Sequence, residues 1–426
     1  MYAKSLHIYD FKCYGKAVLH LQYPGRTGKG VSALKNVNLI LGDNGGGKSS
    51  VLRALAIAAL APALMDSGFV PYRLVRRAKV TQAQVKECLL KIQAVSTGNE
   101  HFPTSSKIRK LELLARLEPR GTKGSQDRLH LDSTPDSPIA KLLEDDYSPA
   151  FFVVGYGATR RVETSDYSAS SARRSRGLRY QRVAGLFEDQ VALRPLQAWL
   201  GKLQHRHPQR FDEVIKLLNQ VLPANIRFSG ERDEEDDQYL FLFDGILTPF
   251  TSLSDGYKAF VGWLSDLLGH LCDVVPEDKA IDDIPGIVLV DEIDLHLHPE
   301  WQRSVVPSLA AAFPQLQFVF TSHSPLVAST VKRDNVFITG AADDGTATIR
   351  QLEEHVYGRS MEQLLLSSYF GMQTTRPESF QTEGEQLFRK AASGDATAAL
   401  DFLARLTQTA PLSPDPNGTK DGKRRG

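Results

Sequence analysis

The segment that most constrains the fold is GDNGGGKSS at residues 42–50. It follows VNLIL at 37–41, a buried-strand run, and precedes SVLRALAIAALA at 50–61, which has the apolar density of a core helix. It matches G-x-x-x-x-G-K-[ST] in full and lies between a strand and a helix, the context that this pattern requires. Strand, glycine turn and helix in this order begin an α/β unit. The sequence therefore predicts a phosphate-binding loop.

This predicted loop supplies groups that bind a nucleoside triphosphate. Its glycines let backbone N–H groups converge on phosphate oxygens, and the helix N-terminus adds its positive dipole end. Lys48 would reach the β- and γ-phosphates, and Ser49 would offer its hydroxyl to Mg²⁺. The predicted nucleotide-binding residues are Asn44, Gly45, Gly46, Gly47, Lys48, Ser49 and Ser50.

Two later strands end in polar groups of matching chemistry. IVLVDE at 287–292 places Asp291 and Glu292 at the C-terminal end of a buried strand, where α/β sheets bind ligands. Asp291 can hold Mg²⁺ or its water shell, and Glu292 can polarise the attacking water as general base. FVFTSHSP at 318–325 ends with His323, which can contact the γ-phosphate or orient the water. A turn histidine with a structural hydrogen bond is the alternative.

A polar segment, TSLSDG, precedes a long helical stripe. Residues 256–271 carry apolar side chains at helical spacing, and Ser254 is a candidate N-cap. The exposed N–H groups at this helix start form another anion site. The position of the segment gives it significance, because Asp291 follows 37 residues after Ser254.

These segments, in this order, resemble the head of an ABC-type ATPase. GDNGGGKSS is similar to the G-x-N-G-x-G-K-S-S form of that superfamily, and SLSDG resembles its signature motif. The resemblance implies that two heads enclose ATP, with the P-loop of one facing the signature of the other. It assigns Ser254, Asp255 and Gly256 to a contact with ATP across a homodimer. Asp294 falls where the resemblance places the D-loop.

Within this superfamily the chain resembles the RecF, SMC and OLD group. The opening KSLHIYDFKCYGKAVLHL is similar to its first hairpin, with Phe11 and Lys12 at the F-[RK] position. DEIDLHLHPEWQ, TSHSP and GYGATRR are most similar to ATPases of bacterial anti-phage systems, such as OLD-type proteins and the PtuA subunit of Septu and related retron systems. A transporter subunit is disfavoured, because Lys48 and Ser254 lie 206 residues apart, about twice the usual spacing.

Two departures from that group affect the expected function. No Q-loop glutamine can be placed, since GYGATRR at 155–161 occupies its region. OLD nucleases also carry a C-terminal Toprim domain, whereas only 103 residues follow His323 and they show no acidic cluster of that type. Any nuclease is therefore expected on a separate chain.

The predicted fold class is α/β, a P-loop NTPase of ABC-ATPase type with a mostly parallel core sheet, an N-terminal antiparallel β subdomain and a helical insertion. Residues 69–150 are predicted to mix a basic helical stretch with strands at LELLARLEP and RLHLDS. The predicted domains are an N-terminal ATPase lobe at 1–160, an Arg-rich segment and insertion at 161–250, a C-terminal ATPase lobe at 251–345, a helical extension at 346–410 and a disordered tail at 411–426.

Charged and histidine-containing segments leave alternatives open. Seven arginines lie in residues 160–182, namely Arg160, Arg161, Arg173, Arg174, Arg176, Arg179 and Arg182. The segment can bind nucleic acid through phosphates, form a mobile lid or dock a partner protein. The acidic run ERDEEDD at 231–237 is interpreted as a solvated hairpin flank. His296 and His298 lack suitably spaced further ligands for zinc, and are interpreted as shaping the turn into a helix near Pro299.

Composition indicates a soluble, cytoplasmic protein. A net charge of +1 predicts neither a nucleic-acid nor a membrane partner for the molecule as a whole. Three scattered cysteines argue against a disulfide framework, and the N-terminus lacks the apolar region of a signal peptide. The longest apolar run, 51–65, contains Arg53 and Pro62 and is too short to span a bilayer.

Together these observations predict a slow, regulated ATPase that uses ATP and Mg²⁺, with Glu292, His323 and Lys48 in catalysis and Ser49 and Asp291 as Mg²⁺ ligands. Its expected role is the sensor or regulatory subunit of an anti-phage assembly. Expected partners are a second copy, in a head-to-head dimer or higher oligomer, and an HNH or Toprim nuclease in trans. DNA or RNA is a further candidate partner. The alternatives are a RecF-like DNA-repair ATPase and a nucleotide-gated scaffold with little turnover.

Overall fold

The computed structural model describes residues 1–28, 30–65, 67–77, 85–100, 110–120, 126–131, 138–162, 177–189, 191–233 and 238–408. The strands are β1 Tyr2–Phe11, β2 Tyr14–His20, β3 Val37–Leu41, β4 Cys88–Val95, β5 Lys110–Pro119, β6 Asp127–His130, β7 Val153–Tyr156, β8 Arg161–Val162, β9 Ala192–Leu193, β10 Ile226–Arg232, β11 Tyr239–Phe243, β12 Ile246–Pro249, β13 Gly286–Val290, β14 Leu316–Thr321, β15 Val336–Ala341 and β16 Ala347–Arg350. The α-helices are α1 Lys48–Met65, α2 Pro138–Glu144, α3 Leu178–Gln181, α4 Leu200–Arg206, α5 Pro208–Val221, α6 Asp255–Val274, α7 Pro299–Gln302, α8 Val305–Ala312, α9 Pro325–Ala328, α10 Met361–Leu365, α11 Glu378–Ala392 and α12 Ala396–Gln408.

An eleven-stranded sheet organises the larger part of the chain, in the order β6-β5-β4-β1-β2-β16-β15-β3-β14-β13-β7. From β15 to β7 each strand runs parallel to the next. From β6 to β2 the neighbours are antiparallel. The predicted α/β P-loop fold, with a parallel core and an antiparallel β region near the N-terminus, is confirmed.

The parallel core is covered by helices on both faces. Alternate residues of β13 point to opposite sides, so that Val288 and Val290 join the cluster that contains α5, α6 and α8. Ile287 and Leu289 join the cluster that contains α1. A strand buried on both faces needs a continuous apolar run, which explains why IVLV reads as it does.

Helix α1 is the one helix in the described residues that is long and apolar enough to cross a membrane, with a mean hydropathy of 1.4. The same helix packs beneath the sheet, and 72% of it is buried inside the protein. This burial is what the core helix after a phosphate-binding loop requires.

Several elements differ from the sequence prediction. Between Met65 and Pro138 the described residues form no helix, and β4 lies in the region for which a basic helical stretch was expected; residues 78–84 lie outside the described part. β10, β12 and β16 were not predicted. β10 and β11 form an antiparallel hairpin, so the described part of the acidic run flanks a hairpin as expected.

Contacts divide the chain into two units, Met1–Gly371 and Met372–Gly426. The second unit contains α11 and α12, which pack together through Phe388 and Phe402 with ring centroids 5.6 Å apart. The predicted domain boundaries remain predictions.

Candidate functional site

The glycine-rich loop connects β3 to α1, as predicted. Gly42 and Gly47 have φ angles of 141° and 95°, which residues with side chains rarely adopt. A Cβ at Gly42 would lie 2.1 Å from Thr339 Oγ1, and one at Gly47 would lie 2.7 Å from both Cys13 Sγ and Tyr14 Oη. Gly45, by contrast, has nothing within 4 Å of such a Cβ. The loop is therefore packed closely from below and open above.

Lys48 is folded over this loop. Its ammonium donates to the carbonyl oxygens of Gly42 and Asp43, each at 2.9 Å. Burial lowers the pKa of Lys48, and the nearby carboxylates of Asp291 and Glu292 oppose that shift. The ammonium is thus held at the start of α1 with acids from another strand close by.

A cavity of about 350 Å³ opens above the loop, a volume within the range of small-molecule sites. Its lining comes from four separate parts of the sequence: Lys12, Cys13, Asn44, Gly45, Gly47, Lys48, Ser49, Ser50, Arg53, Glu292 and His323. The structure therefore brings the predicted loop residues together with Glu292 and His323. Gly46 is not part of the lining, because its backbone packs against Thr339.

The two acids after β13 are held by a hydrogen-bond arrangement. Asp291 is buried, and its Oδ1 accepts a 2.5 Å hydrogen bond from Thr321 Oγ1. The same hydroxyl oxygen accepts one from the Glu292 amide at 2.7 Å. Glu292 itself has a φ of 50°, the left-handed region. Thr321 was not predicted as a site residue; its position as the last residue of β14 was the available signal.

The oxygen donors at this cavity fit a hard divalent cation. Ser49 Oγ and the Asp291 carboxylate are the types of ligand that Mg²⁺ takes, and Mg²⁺ is commonly bound by few protein groups. In the described part of the chain, no group of three or more His, Cys, Asp or Glu side chains is arranged to hold a metal ion. His298 instead caps α7, where its Nδ1 accepts a hydrogen bond from the Glu300 amide at 3.4 Å.

The segment with Ser254, Asp255 and Gly256 lies away from the P-loop cavity, at the start of α6. Asp255 lines a second cavity of about 420 Å³, together with Arg160 and His296. Gly256 packs so closely on the D-loop region that a Cβ there would lie 2.4 Å from the His296 carbonyl oxygen. These residues cannot serve the P-loop cavity of their own subunit.

Ser254 occupies the N-cap position of α6 as expected, but its side chain makes no capping hydrogen bond. The residue is exposed, and Asp255 beside it pairs with Lys258 at 2.9 Å. The exposed Ser254 hydroxyl is therefore available for a contact outside the subunit. Asp294 Oδ1 is buried without a hydrogen-bond partner in the described part of the chain.

Part of the Arg-rich segment serves the fold. Arg179 and Arg182 are buried, and Arg179 donates to the carbonyl oxygens of Ala150 and Phe151 at 2.9 and 3.1 Å. These two arginines are therefore not free to bind phosphates, in contrast to the expectation for the whole segment. Residues 163–176 lie outside the described part of the chain.

Comparison with protein families gives one match over most of this architecture. The model described as "AAA domain, putative AbiEii toxin, Type IV TA system" matches residues 37–329, from β3 to just beyond α9. The chain belongs to this family. The match includes every segment that lines the P-loop cavity except Lys12 and Cys13.

Relatives of this family member are similar over most of the chain. The Septu protein PtuA of Bacillus mycoides is 27% identical over 341 residues, covering 80% of this chain and 41% of that protein. The Retron Vc95 probable ATPase of Vibrio cholerae is 22% identical, covering 80% of this chain and 74% of that protein. The chain thus spans less than half the length of the PtuA relative. The expected resemblance to Septu and retron ATPases is confirmed.

A solved structure supports the fold. The "SmcHead bound to the C-winged helix domain of ScpA" superposes with a TM-score of 0.51 at 15% identity, covering 83% of this chain and 98% of that one. Together, the AAA-domain family and a relative named as an ATPase support ATPase activity.

Proposed function

We propose that this chain binds and hydrolyses ATP with Mg²⁺ as the regulatory subunit of a cytoplasmic anti-phage assembly, and that it controls an effector nuclease carried on a separate chain. The observation that carries the proposal is the division of the site. The P-loop, Glu292 and His323 line one cavity, whereas the signature residues lie outside it at the exposed start of α6. The relatives named Septu PtuA and retron ATPase support the defence role.

Each residue of the cavity has a role in the proposed reaction. The loop amides and Lys48 bind the phosphates, and Mg²⁺, held by Ser49 and Asp291, neutralises charge on the β- and γ-oxygens. Glu292 accepts the proton of the water that attacks the γ-phosphorus, and the bond to ADP breaks. His323 contacts the transferred phosphoryl group.

The proposed active form is a head-to-head dimer. Ser254, Asp255 and Gly256 of each subunit would complete the cavity of the other, with Asp294 near the interface. Two observations support this arrangement: the Ser254 side chain makes no capping bond, and the signature residues are absent from the lining of their own cavity. Turnover in such a dimer is slow and controlled by assembly.

The defence role is tested by expressing the chain with its neighbouring gene in a phage-sensitive bacterium. We expect plaque formation to fall at least about tenfold, with co-purification of the neighbouring product, and the Lys48→Ala variant to give no protection because it cannot bind phosphate. Lack of protection, combined with an ATPase rate stimulated by DNA alone, would instead favour a RecF-like repair role. Protection that persists in Lys48→Ala would indicate a scaffold independent of nucleotide.

Lys12 predicts a pH dependence of ATP binding. Burial, with a contribution from Arg53, lowers the pKa of Lys12 to about 8, and Lys12 lines the cavity. Its charge is present below pH 8 and lost above it in the free protein, whereas the phosphates of ATP are already ionised throughout this range. ATP affinity is therefore expected to fall several-fold between pH 7 and pH 9.

The dependence is measured by titrating a fluorescent ATP analogue at each pH. Lys12→Arg keeps its charge and should flatten the profile, while Lys48, common to both proteins, contributes equally to each. Lys12→Gln should bind weakly at both pH values. An unchanged slope in Lys12→Arg would assign the pH effect to another group.

A further inference from the structure

Arg160 follows β7, and its guanidinium bonds to the backbone of the turn that carries the two acids. Nη2 donates to the carbonyl oxygens of Asp291 and of Glu292, the latter at 2.6 Å. Nε donates to the Gly157 carbonyl oxygen at 3.1 Å. One side chain thus joins the end of β7 to the end of β13, although the two lie 131 residues apart in sequence.

These contacts restrain the residue on which hydrolysis depends in the proposed function. Glu292 has a φ of 50°, which residues with side chains rarely adopt, so the turn needs support from its surroundings. Thr321 accepts the Glu292 amide proton on one side, and Arg160 bonds to the carbonyl on the other. The peptide groups before and after the Glu292 Cα are therefore both anchored.

Arg160 also contacts the helix that carries the signature residues. Its guanidinium carbon lies 6.0 Å from the ring centroid of Trp263, a fully buried residue of α6. Arg160 and Asp255 line the same second cavity. Burial lowers the pKa of Arg160 to about 10, so the guanidinium keeps its charge at neutral pH. The side chain lies between the acidic turn and α6.

We propose that Arg160 is a positioning residue for hydrolysis, whose planar guanidinium holds the Asp291–Glu292 turn so that the Glu292 carboxylate faces the P-loop cavity. The inference rests on the proposed role of Glu292. It needs an arginine, because a lysine ammonium is a single charged centre and cannot satisfy three carbonyl oxygens with a planar array of donors.

The test compares Arg160→Lys and Arg160→Ala with the unchanged protein. We expect kcat to fall about 10- to 100-fold while the ATP dissociation constant stays within about twofold, because the P-loop is unaltered. Millimolar guanidinium should restore part of the activity of Arg160→Ala, which a general loss of folding would not allow. Arg210→Lys is the matched control, because Arg210 Nη2 also donates to two successive carbonyls, those of Pro276 and Glu277, far along the chain from the acidic turn.

A double-mutant cycle with Glu292→Gln decides the mechanism. If Arg160 acts through Glu292, adding Arg160→Lys to Glu292→Gln should slow hydrolysis by less than about twofold. Multiplicative losses, or a kcat unchanged by Arg160→Lys while Glu292→Gln is inactive, would overturn this inference alone. Hydrolysis that is unaffected by Glu292→Gln would overturn the proposed function of the site as well.

Discussion

Glu292→Gln is expected to bind ATP and to hydrolyse it at least about 10²-fold more slowly than the unchanged protein, since a positioned general base contributes about that much or more. Glutamine has nearly the shape of glutamate but cannot accept the proton of the attacking water. The Glu292 amide donates to Thr321 and its carbonyl accepts from Arg160, and neither contact involves the side chain that changes. The substitution therefore removes the base and leaves the turn in place.

In the proposed dimer, the same variant should accumulate as a closed form. With hydrolysis blocked, ATP remains between the P-loop of one subunit and the signature segment of the other, so light scattering should show a dimer that depends on ATP. Phosphate release in a single turnover measures the chemical step separately from binding. Glu300→Gln is the matched control, an exposed glutamate eight residues further along, and it should behave as the unchanged protein.

Hydrolysis by Glu292→Gln at the unchanged rate would show that the general base is another group. A variant that binds ATP, does not hydrolyse it and stays monomeric would keep the role of Glu292 and contradict the dimer. The two measurements thus test the chemistry and the assembly independently.

Local patterns were sufficient to predict the core of the fold. VNLIL corresponds to β3 residue for residue, and the apolar run at 287–290 lies within β13. Both strands are buried on two faces, so their sequences carry a continuous apolar signal that does not depend on distant partners. The glycine-rich loop is similarly local, because its conformation follows from its own glycines and from the helix that it starts.

Strands with distant or irregular pairing were not predicted. β16 pairs with β2 through Ala347 and Tyr14, more than 300 residues apart, and nothing in four residues of alternating polarity reveals that partner. β4, in the region for which a basic helical stretch was predicted, gains its stability between β1 and β5. In such strands the cross-strand neighbours decide the conformation.

The candidate site divides in the same way. Lys48 and Glu292 were predicted because each belongs to a short motif at the end of a strand or loop. The contributions of Thr321 and Arg160 are hydrogen bonds to a turn that is 29 to 132 residues away in sequence, and no spacing rule connects them. Ser254 shows the reverse case, since the motif placed it at a helix N-terminus but could not reveal that its hydroxyl makes no cap.

Two inactive variants are expected to restore activity when they are mixed. Lys48→Ala should lose at least about 10²-fold in ATP affinity, because a charged group that binds phosphate contributes about 1.5–3 kcal/mol per hydrogen bond. The Lys48 ammonium bonds only to two loop carbonyls that face the cavity, so the fold should persist. Ser254→Arg should leave the subunit folded, because the residue is exposed and does not cap α6, but it should block the contact with the partner's ATP.

A dimer of one Lys48→Ala subunit and one Ser254→Arg subunit has one complete site, built from the P-loop of the second and the signature segment of the first. Random assembly of equal amounts in a symmetric dimer makes half of the dimers mixed, so the expected rate is roughly a quarter of that of the unchanged protein. The measurement is steady-state phosphate release over a range of mixing ratios, with a maximum near equal amounts. Mixing Lys48→Ala with Glu292→Gln is the control and should restore nothing, because both changes affect the same side of the proposed interface. A mixture of Lys48→Ala and Ser254→Arg that is no more active than its separate components would place Ser254 outside the partner's site.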